Sequence, residues 1–396
     1  IQSGIFDWWK KKIAILGSTG SIGQNTLKVI RKDKKKYEIL LLSTNSNIRK
    51  IINQSKEFNV KNIIISDLKV FKKFKYKSKE TNINIYNSFD SLDLILKKKK
   101  IDYSMVAISG LDGLKPTLKL TKYSKKLAIV NKESLICGWN LISKNLDKYK
   151  TKFIPIDSEH FSIYSLIQKN NKDQIDKVFI TASGGPFLNT SSKKLKNIKK
   201  KDALKHPNWK MGKKISIDSS TMMNKVFEVI EAKKLFNLNY KNISILTHPK
   251  SYVHAIVKFK NALIKILIHE PDMKIPIYNS LYPLTKNKVK SKKLNLLILN
   301  NLDLKKINYH KFPLLKLLNN LNEKDSLYET ILVVINDFFV LKYLNNEIKY
   351  HEMIKLIYKY SNYNEFLKYR KILPKKVTDI YKLRDYVSLK LSTLSV

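Results

Sequence analysis

The segment Ile13-Ala-Ile-Leu-Gly17-Ser18-Thr19-Gly20-Ser21-Ile22-Gly23 constrains this chain more than any other, because it passes from an apolar run through three evenly spaced glycines into a helical pattern. A strand–turn–helix unit of this kind aims the free N–H groups and the dipole of the helix's first turn at one point, where a pyrophosphate can sit. The spacing is G-x-x-G-x-x-G rather than G-x-G-x-x-G, and a tight βα turn that holds no ligand is the competing reading. The glycines carry weight because the chain uses so few: ten in 396 residues, seven of them in the groups Gly17/Gly20/Gly23, Gly110/Gly113 and Gly184/Gly185. Clusters in such a chain mark backbone that needs positive φ or a close approach.

Short apolar runs at 13–16, 39–43, 63–65, 105–108 and 127–130 are each followed by a helix-like stretch. That alternation predicts a parallel sheet with helices on both faces. The second run closes on Leu42-Ser-Thr-Asn45-Ser46-Asn47-Ile-Arg49-Lys50, without a carboxylate. An acidic residue there would bind the ribose 2′-hydroxyl of NAD and repel a 2′-phosphate, so its absence beside Arg49 and Lys50 favours NADP.

A second constellation begins at Phe153-Ile-Pro-Ile-Asp157-Ser158-Glu159-His160, read as a strand entering a loop. Asp157 and Glu159 at i and i+2 would share a strand face, and two converging carboxylates call for a proton or a cation between them. Oxygen-only ligands select magnesium or manganese. Further on, Asp218-Ser219-Ser220-Thr221 precedes a predicted helix at 222–236, on which Asn224, Glu228 and Glu231 fall at i, i+4 and i+7, beside Lys225. This stripe supplies a third carboxylate and an amide, and the hydroxyls at the helix start offer phosphate donors. For Glu231 a solvated helix face is an equal alternative.

Two loops complete the pattern. Ser183-Gly-Gly-Pro-Phe187 follows a predicted strand at 177–181 and can present a hydroxyl and bare N–H groups to a phosphate. Lys205-His206-Pro-Asn-Trp209-Lys-Met211-Gly212 places a large aromatic in a polar loop suited to closing over a ligand, unless Trp209 serves only as packing. His206 is a candidate general acid or substrate hydrogen-bonding group.

A formal charge of +45 suggests nucleic-acid binding, but only Arg31, Arg49, Arg370 and Arg384 among the 77 basic residues are arginines, and the lysines run along the whole chain. Abundant lysine, isoleucine and asparagine with scarce glycine and proline point to a compositional bias rather than a binding groove; runs such as 97–100 read as solvated faces or loops. The longest apolar stretch, 331–340, is interrupted by Asn336 and Asp337 and reads as a buried helix rather than a membrane span. A single cysteine, Cys137, fits a reducing compartment, and the first ten residues do not read as a signal peptide. The expectation is a soluble, intracellular enzyme.

The motifs Gly17-Ser-Thr-Gly-Ser-Ile-Gly23, Asn131-Lys132-Glu133-Ser134, Asp157-Ser-Glu-His160, Ser183-Gly-Gly-Pro-Phe187, His206-Pro-Asn-Trp-Lys-Met-Gly212 and Asp218-Ser-Ser-Thr-Met-Met-Asn-Lys225 stand in the order and spacing of one family. From about Lys11 to its end the chain resembles 1-deoxy-D-xylulose-5-phosphate reductoisomerase. The resemblance implies an α/β fold: a Rossmann-like N-terminal domain with a parallel sheet (11–150), an α/β (α+β) central catalytic domain (151–285) with a lid loop at about 203–213, a linker (286–312) and a small helical C-terminal domain (313–396). Residues 1–10, with Trp8 and Trp9, have no counterpart and stay unassigned.

It further implies rearrangement of a small phosphorylated sugar by a retroaldol–aldol sequence, followed by NADPH reduction to 2-C-methyl-D-erythritol 4-phosphate. Asp157, Glu159 and Glu228 would bind Mg²⁺ or Mn²⁺. Ser183, Ser219, Asn224 and Lys225 would hold the phosphate. Lys132, Ser158, Glu159 and His206 would meet the reacting backbone, under a lid formed by Trp209 and Met211. Gly17, Ser18, Thr19, Gly20, Ser21, Ile22, Gly23, Asn45, Asn47, Asn131, Glu133 and Gly212 would meet the cofactor, although Ser46 stands where some members carry a basic residue. The family is dimeric, binds neither nucleic acid nor membrane, belongs to the non-mevalonate isoprenoid pathway and is the target of fosmidomycin-type phosphonohydroxamates. Bacterial cytoplasm is the expected location, with a plastid-type organelle as the alternative. A phosphorylated-intermediate reductase of the semialdehyde dehydrogenase kind competes, and would need Cys137 as its nucleophile.

Overall fold

The computed structural model describes residues 10–75, 82–97, 100–167, 174–191, 194–282, 291 and 295–394. The unassigned tail apart from Lys10, part of the 97–100 lysine run and much of the first half of the linker at 286–312 lie outside them. From its amino end the chain runs β1 (Lys11–Leu16), α1 (Ser21–Arg31), β2 (Tyr37–Thr44), α2 (Ile48–Phe58), β3 (Asn62–Ile65), α3 (Leu68–Lys75), β4 (Asn84–Tyr86), α4 (Leu92–Ile95), β5 (Tyr103–Val106) and α5 (Leu114–Tyr123). There follow β6 (Lys126–Ile129), α6 (Lys132–Tyr149), β7 (Lys152–Pro155), α7 (Ser158–Ile167), β8 (Ile175–Ala182), α8 (Lys200–Ala203), α9 (Lys213–Thr221) and α10 (Met223–Phe236). The chain closes with β9 (Ile243–Thr247), β10 (Val253–Phe259), β11 (Ile264–Ile268), α11 (Lys274–Leu281), α12 (Leu296–Asn300), β12 (Lys305–Lys306), α13 (Tyr328–Leu344), α14 (Tyr350–Ser361), α15 (Asn364–Leu367) and α16 (Val377–Leu394).

These elements form two compact units, one of residues 1–131, 142–156 and 273–287, the other of 132–141, 157–272 and 288–396. In the first, seven parallel strands stand in the order β4-β3-β2-β1-β5-β6-β7. Ile13, Ile15, Ile39, Leu42, Ile63, Ile65 and Met105 pack with Leu27 and Ile30 of α1 and Ile51 of α2 into one core. The strand order reverses between β1 and β5, the point where open α/β sheets bind ligands beyond the carboxyl ends of their strands. Gly17 lies at that point. Its φ of +78° suits a residue without a side chain, and a Cβ there would strike the backbone of Ala107 just after β5. All five strands expected in the first 150 residues are present, that at 105–108 ending two residues earlier. The short strand β4 was not foreseen, because three partly exposed residues carry little periodicity.

In the second unit, a mixed five-stranded sheet has the order β11-β10-β8-β9-β12, with β8 and β9 parallel and the other pairs antiparallel. Helices α7 and α10 pack on it. The C-terminal region is helical, and the stretch 331–340 lies inside α13, buried as expected. Among the described residues no helix is long and apolar enough to cross a membrane.

A Cβ at Gly23 would lie 2.5 Å from Ser18 Cα, so only glycine lets α1 sit this close to the turn. Gly23→Val is expected to destabilise the protein by about 1–3 kcal/mol through forced separation of α1 from β1. The loss should appear as a lower urea midpoint with an unchanged slope.

Candidate active site

Four carboxylates of the second unit converge. Asp157 stands just before α7 and caps it: its Oδ1 accepts from Glu159 N at 3.3 Å and its carbonyl accepts from Phe161 N at 2.7 Å. Asp157 and Glu159 therefore do not share a strand face, as the sequence suggested. The capping aspartate ends the extended run, and Glu159 enters the first helical turn, where a carboxylate is favoured by the dipole. Glu228 and Glu231 come from α10, which is buried on all sides. Ligand oxygens of Asp157, Glu159 and Glu228 all lie within 4.8 Å of one another, and Asp157, His160 and Glu231 form a second such group. Glu231 is 1% exposed, which removes the solvated-face reading.

Two lysines enter this acidic cluster. Lys132, at the start of α6, reaches Asp157 Oδ2 at 3.3 Å and Glu228 Oε1 at 3.7 Å and donates to Asn224 Oδ1. Lys225 meets Glu159 Oε1 at 2.5 Å and also donates to Glu228, to which Asn224 donates as well. Positive charge is still short. Burial and then the nearby Glu159 push the Glu228 carboxyl up to about 7, and burial pushes Glu231 up to about 8. Burial alone would lower the His160 imidazolium, yet Glu231 and Asp157 raise it to about 9. A hard divalent cation fits an oxygen-only triad in which burial and the neighbouring carboxylates push the Glu228 carboxyl toward neutrality. Asp157, Glu159 and Glu228 are the residues that would hold it.

The phosphate-binding candidates are brought together by backbone geometry. Met222 takes φ +65° and ends α9 while starting α10, a conformation that costs a non-glycine residue energy and reverses the chain sharply. The hydroxyl run at 219–221 thus closes α9 rather than lying free before α10: the helix expected at 222–236 is present as α10, but α9 before it was not foreseen. Gly185, at φ +64°, lets the 183–187 loop approach α9: a Cβ there would lie 2.9 Å from the Ser219 carbonyl oxygen.

His206 sits beside this loop. Its Nδ1 accepts from Asn208 N at 3.2 Å and Trp209 N at 3.0 Å, so the ring proton resides on Nε2, which donates to Ser183 Oγ at 3.0 Å. Ser183 Oγ also accepts from Gly185 N at 3.1 Å, leaving its own proton to offer outward. Burial, then the Lys225 charge, holds His206 down to about 4; it is a neutral hydrogen-bonding group at physiological pH. The loop is pinned by Asn208, which donates to Pro249 O at 2.7 Å and Ser251 Oγ at 2.8 Å. Trp209 meets His254 edge-on at 6.0 Å, and His254 stacks on His269 at 3.7 Å. Trp209 and Met211 are half-buried.

In the first unit the glycine turn is tied to the end of β2. Gly17 N donates to Ser43 Oγ at 2.9 Å, Ser18 N to Ser43 O at 2.8 Å, and Thr19 Oγ1 bonds Thr44 Oγ1 at 2.7 Å. Asn45 Oδ1 accepts from Ser66 at 3.0 Å, and Asn47 caps α2 by accepting from Lys50 N at 3.1 Å. Asn131 Nδ2 donates to Gly110 O at 2.7 Å. Glu133 and Gly212 belong to the second unit.

Sequence reading missed His160 as a partner of Asp157 and Glu231, and the His254–His269 stack. A histidine three residues after a capping aspartate was the available signal for the first; no local pattern marked the second. Cys137 is buried, and burial pushes its thiol up and removes it as a nucleophile.

Three models of one family match the chain: "1-deoxy-D-xylulose 5-phosphate reductoisomerase" over residues 13–138, its "C-terminal domain" over 153–236, and "DXP reductoisomerase C-terminal domain" over 268–387. A 1-deoxy-D-xylulose 5-phosphate reductoisomerase of Pelagibacter ubique is 57% identical over 387 residues, covering 98% of this chain and 100% of that one. That of Clostridium tetani is 38% identical over 350 residues, covering 88% and 91%. Among solved structures, a DOX-P reductoisomerase in complex with NADPH, fosmidomycin and magnesium superimposes with a TM-score of 0.86 at 31% identity, over 97% of this chain and 99% of that one. The Zymomonas mobilis enzyme in complex with NADPH gives 0.85 at 29% identity, over 97% and 99%.

Protein purified in EDTA is expected to stay folded, since Lys132 and Lys225 offset part of the buried charge. Mn²⁺ at about 100 times its Kd should then add about 2.7 kcal/mol of stability, seen as a higher melting temperature. Glu228→Gln is expected to abolish most of that shift.

Proposed function

The chain belongs to the 1-deoxy-D-xylulose 5-phosphate reductoisomerase family, and from that premise we propose that it converts 1-deoxy-D-xylulose 5-phosphate to 2-C-methyl-D-erythritol 4-phosphate, an NADPH- and divalent-metal-dependent step toward isoprenoid precursors. The observation that carries this reading is the oxygen-only triad Asp157, Glu159 and Glu228 with Asn224 and Lys225 on its edge. When bound, the metal supplies Lewis acidity toward the substrate's oxygens, and NADPH supplies the hydride.

The chain's own groups do the rest. Asn224 and Lys225 turn from Glu228 and Glu159 to phosphate oxygens once those carboxylates are neutralised, joined by the hydroxyls of Ser183 and Ser219. The Ser158 hydroxyl, which donates to Glu159 at 2.6 Å, and the Lys132 ammonium orient the reacting carbon backbone. His206 meets the substrate as a neutral donor through Nε2–H. The loop carrying Trp209 and Met211 excludes water during the reaction. The cofactor lies against the turn from Gly17 to Gly23, with Asn45, Asn47, Asn131, Glu133 and Gly212 as its further contacts. The division of the chain into cofactor, catalytic and C-terminal domains belongs to the same proposal.

A homodimer is part of this reading. It is supported by β11, an edge strand on which Ile264, Ile266 and Ile268, at i, i+2 and i+4, are 60%, 43% and 36% exposed. An apolar edge of this kind is an aggregation hazard unless a second copy covers it. A cytoplasmic location in a bacterium is supported by bacterial relatives and by a sole cysteine that is a buried thiol.

The test is NADPH oxidation with 1-deoxy-D-xylulose 5-phosphate. Turnover is expected only with Mg²⁺ or Mn²⁺, and folded, metal-loaded protein without turnover would refute the assignment. Glu228→Gln should lower kcat by about 100-fold or more, whereas Cys137→Ser should keep turnover. Light scattering should give twice the 46.3 kDa chain mass, and Ile266→Lys should shift it toward the monomer.

A further inference from the structure

Lys214 differs from the solvated lysines that dominate this chain. It stands two residues after Gly212, in the first turn of α9, and its ammonium meets three carboxylates from three helices. Glu133 Oε1 of α6 lies at 2.8 Å, Asp337 Oδ1 of α13 at 2.8 Å and Asp218 Oδ2 of α9 itself at 3.3 Å. The other oxygen of Asp218 accepts from Asn336 Nδ2 at 2.8 Å, and the ammonium lies 5.8 Å from the centre of the Phe227 ring. Three carboxylates around one ammonium leave the group short of positive charge, so the Lys214 ammonium is what offsets their mutual repulsion. Burial would raise the Glu133 carboxyl, but the Lys214 ammonium outweighs it and holds the group ionised.

The position of this knot gives it a role that none of the residues discussed so far fills. Glu133 adjoins Lys132 of the acidic cluster. Gly212 caps α9 and ends the Trp209 loop, and α9 carries Ser219 at its far end. One ammonium therefore joins the end of the loop, the helix bearing a phosphate-binding hydroxyl and the carboxylate assigned to the cofactor.

We propose that Lys214 is a positioning residue for the cofactor, fixing the Glu133 carboxylate so that NADPH affinity depends on Lys214 through Glu133. This rests on the family reading of Glu133 as a cofactor contact. A lysine that served only to hold helices together would alter melting temperature without a selective effect on NADPH.

The measurement is NADPH fluorescence titration of the full-length protein without substrate. Lys214→Gln is expected to raise the NADPH Kd about 10-fold, and Lys214→Arg, which keeps the charge, to return it to within about threefold of wild type. In a cycle with Glu133→Gln, the double variant should bind no more weakly than Glu133→Gln alone. An unchanged Kd in Lys214→Gln, or fully additive losses in the double variant, would overturn this inference while leaving the function intact. Wild-type protein that binds no NADPH would overturn the functional reading and this inference with it. Should Lys214→Gln not fold, Lys214→Arg decides the matter: a loss of 10-fold or more with native melting would refute the positioning role.

Discussion

Four carboxylates in one buried place repel one another, and much of the second unit is arranged around holding them there. Asp157, Glu159, Glu228 and Glu231 would separate or take up protons without counter-charge. Lys132, Lys225 and His160 supply part of it, each from a different helix or helix end. Buried charges are tolerated only when they are paired and hydrogen-bonded, and here the partners are ionised side chains of the same cluster. On the proposed function, stability and reactivity are drawn from the same ion pairs.

That arrangement needs rigid support. Helix α10 presents Asn224, Lys225, Glu228 and Glu231 from one stripe while Val226, Phe227, Val229 and Ile230 are buried around it, so no face of the helix looks to solvent. A helix buried all round has no polar face to give to water, and turning it about its axis would drive its charged stripe into apolar packing. The left-handed Met222 then fixes the turn from α9 into α10, which places hydroxyls and the amide–lysine pair on either side of one bend. Backbone strain at such a point is held in place by the packing around it.

The sequence made much of this legible where one residue type had no substitute. Gly17 and Gly23 stood out because glycine is scarce, and both occupy positions a side chain would destroy. The strands at β1, β2, β3, β5 and β6 were visible because parallel strands are apolar along their whole length. The triad Asp157, Glu159 and Glu228 was visible as residues but not as geometry: i,i+2 spacing suggested a strand, whereas the capping bond from Glu159 N to Asp157 begins a helix. Local competition between an aspartate cap and strand propensity decides such cases, and periodicity over four residues cannot. The Lys214 knot was illegible, since its three carboxylates lie 81, 4 and 123 positions away in a chain where lysine is everywhere.

The bonding of His206 has a consequence for how the loop and the proton are related. Its Nδ1 is occupied by two N–H donors from the loop that carries it, so a proton on that nitrogen and the present loop conformation exclude each other. The ring's basicity and the loop's position are therefore thermodynamically linked. Whatever draws the 206–209 segment tight favours the neutral ring, and whatever protonates the ring works to unwind the segment.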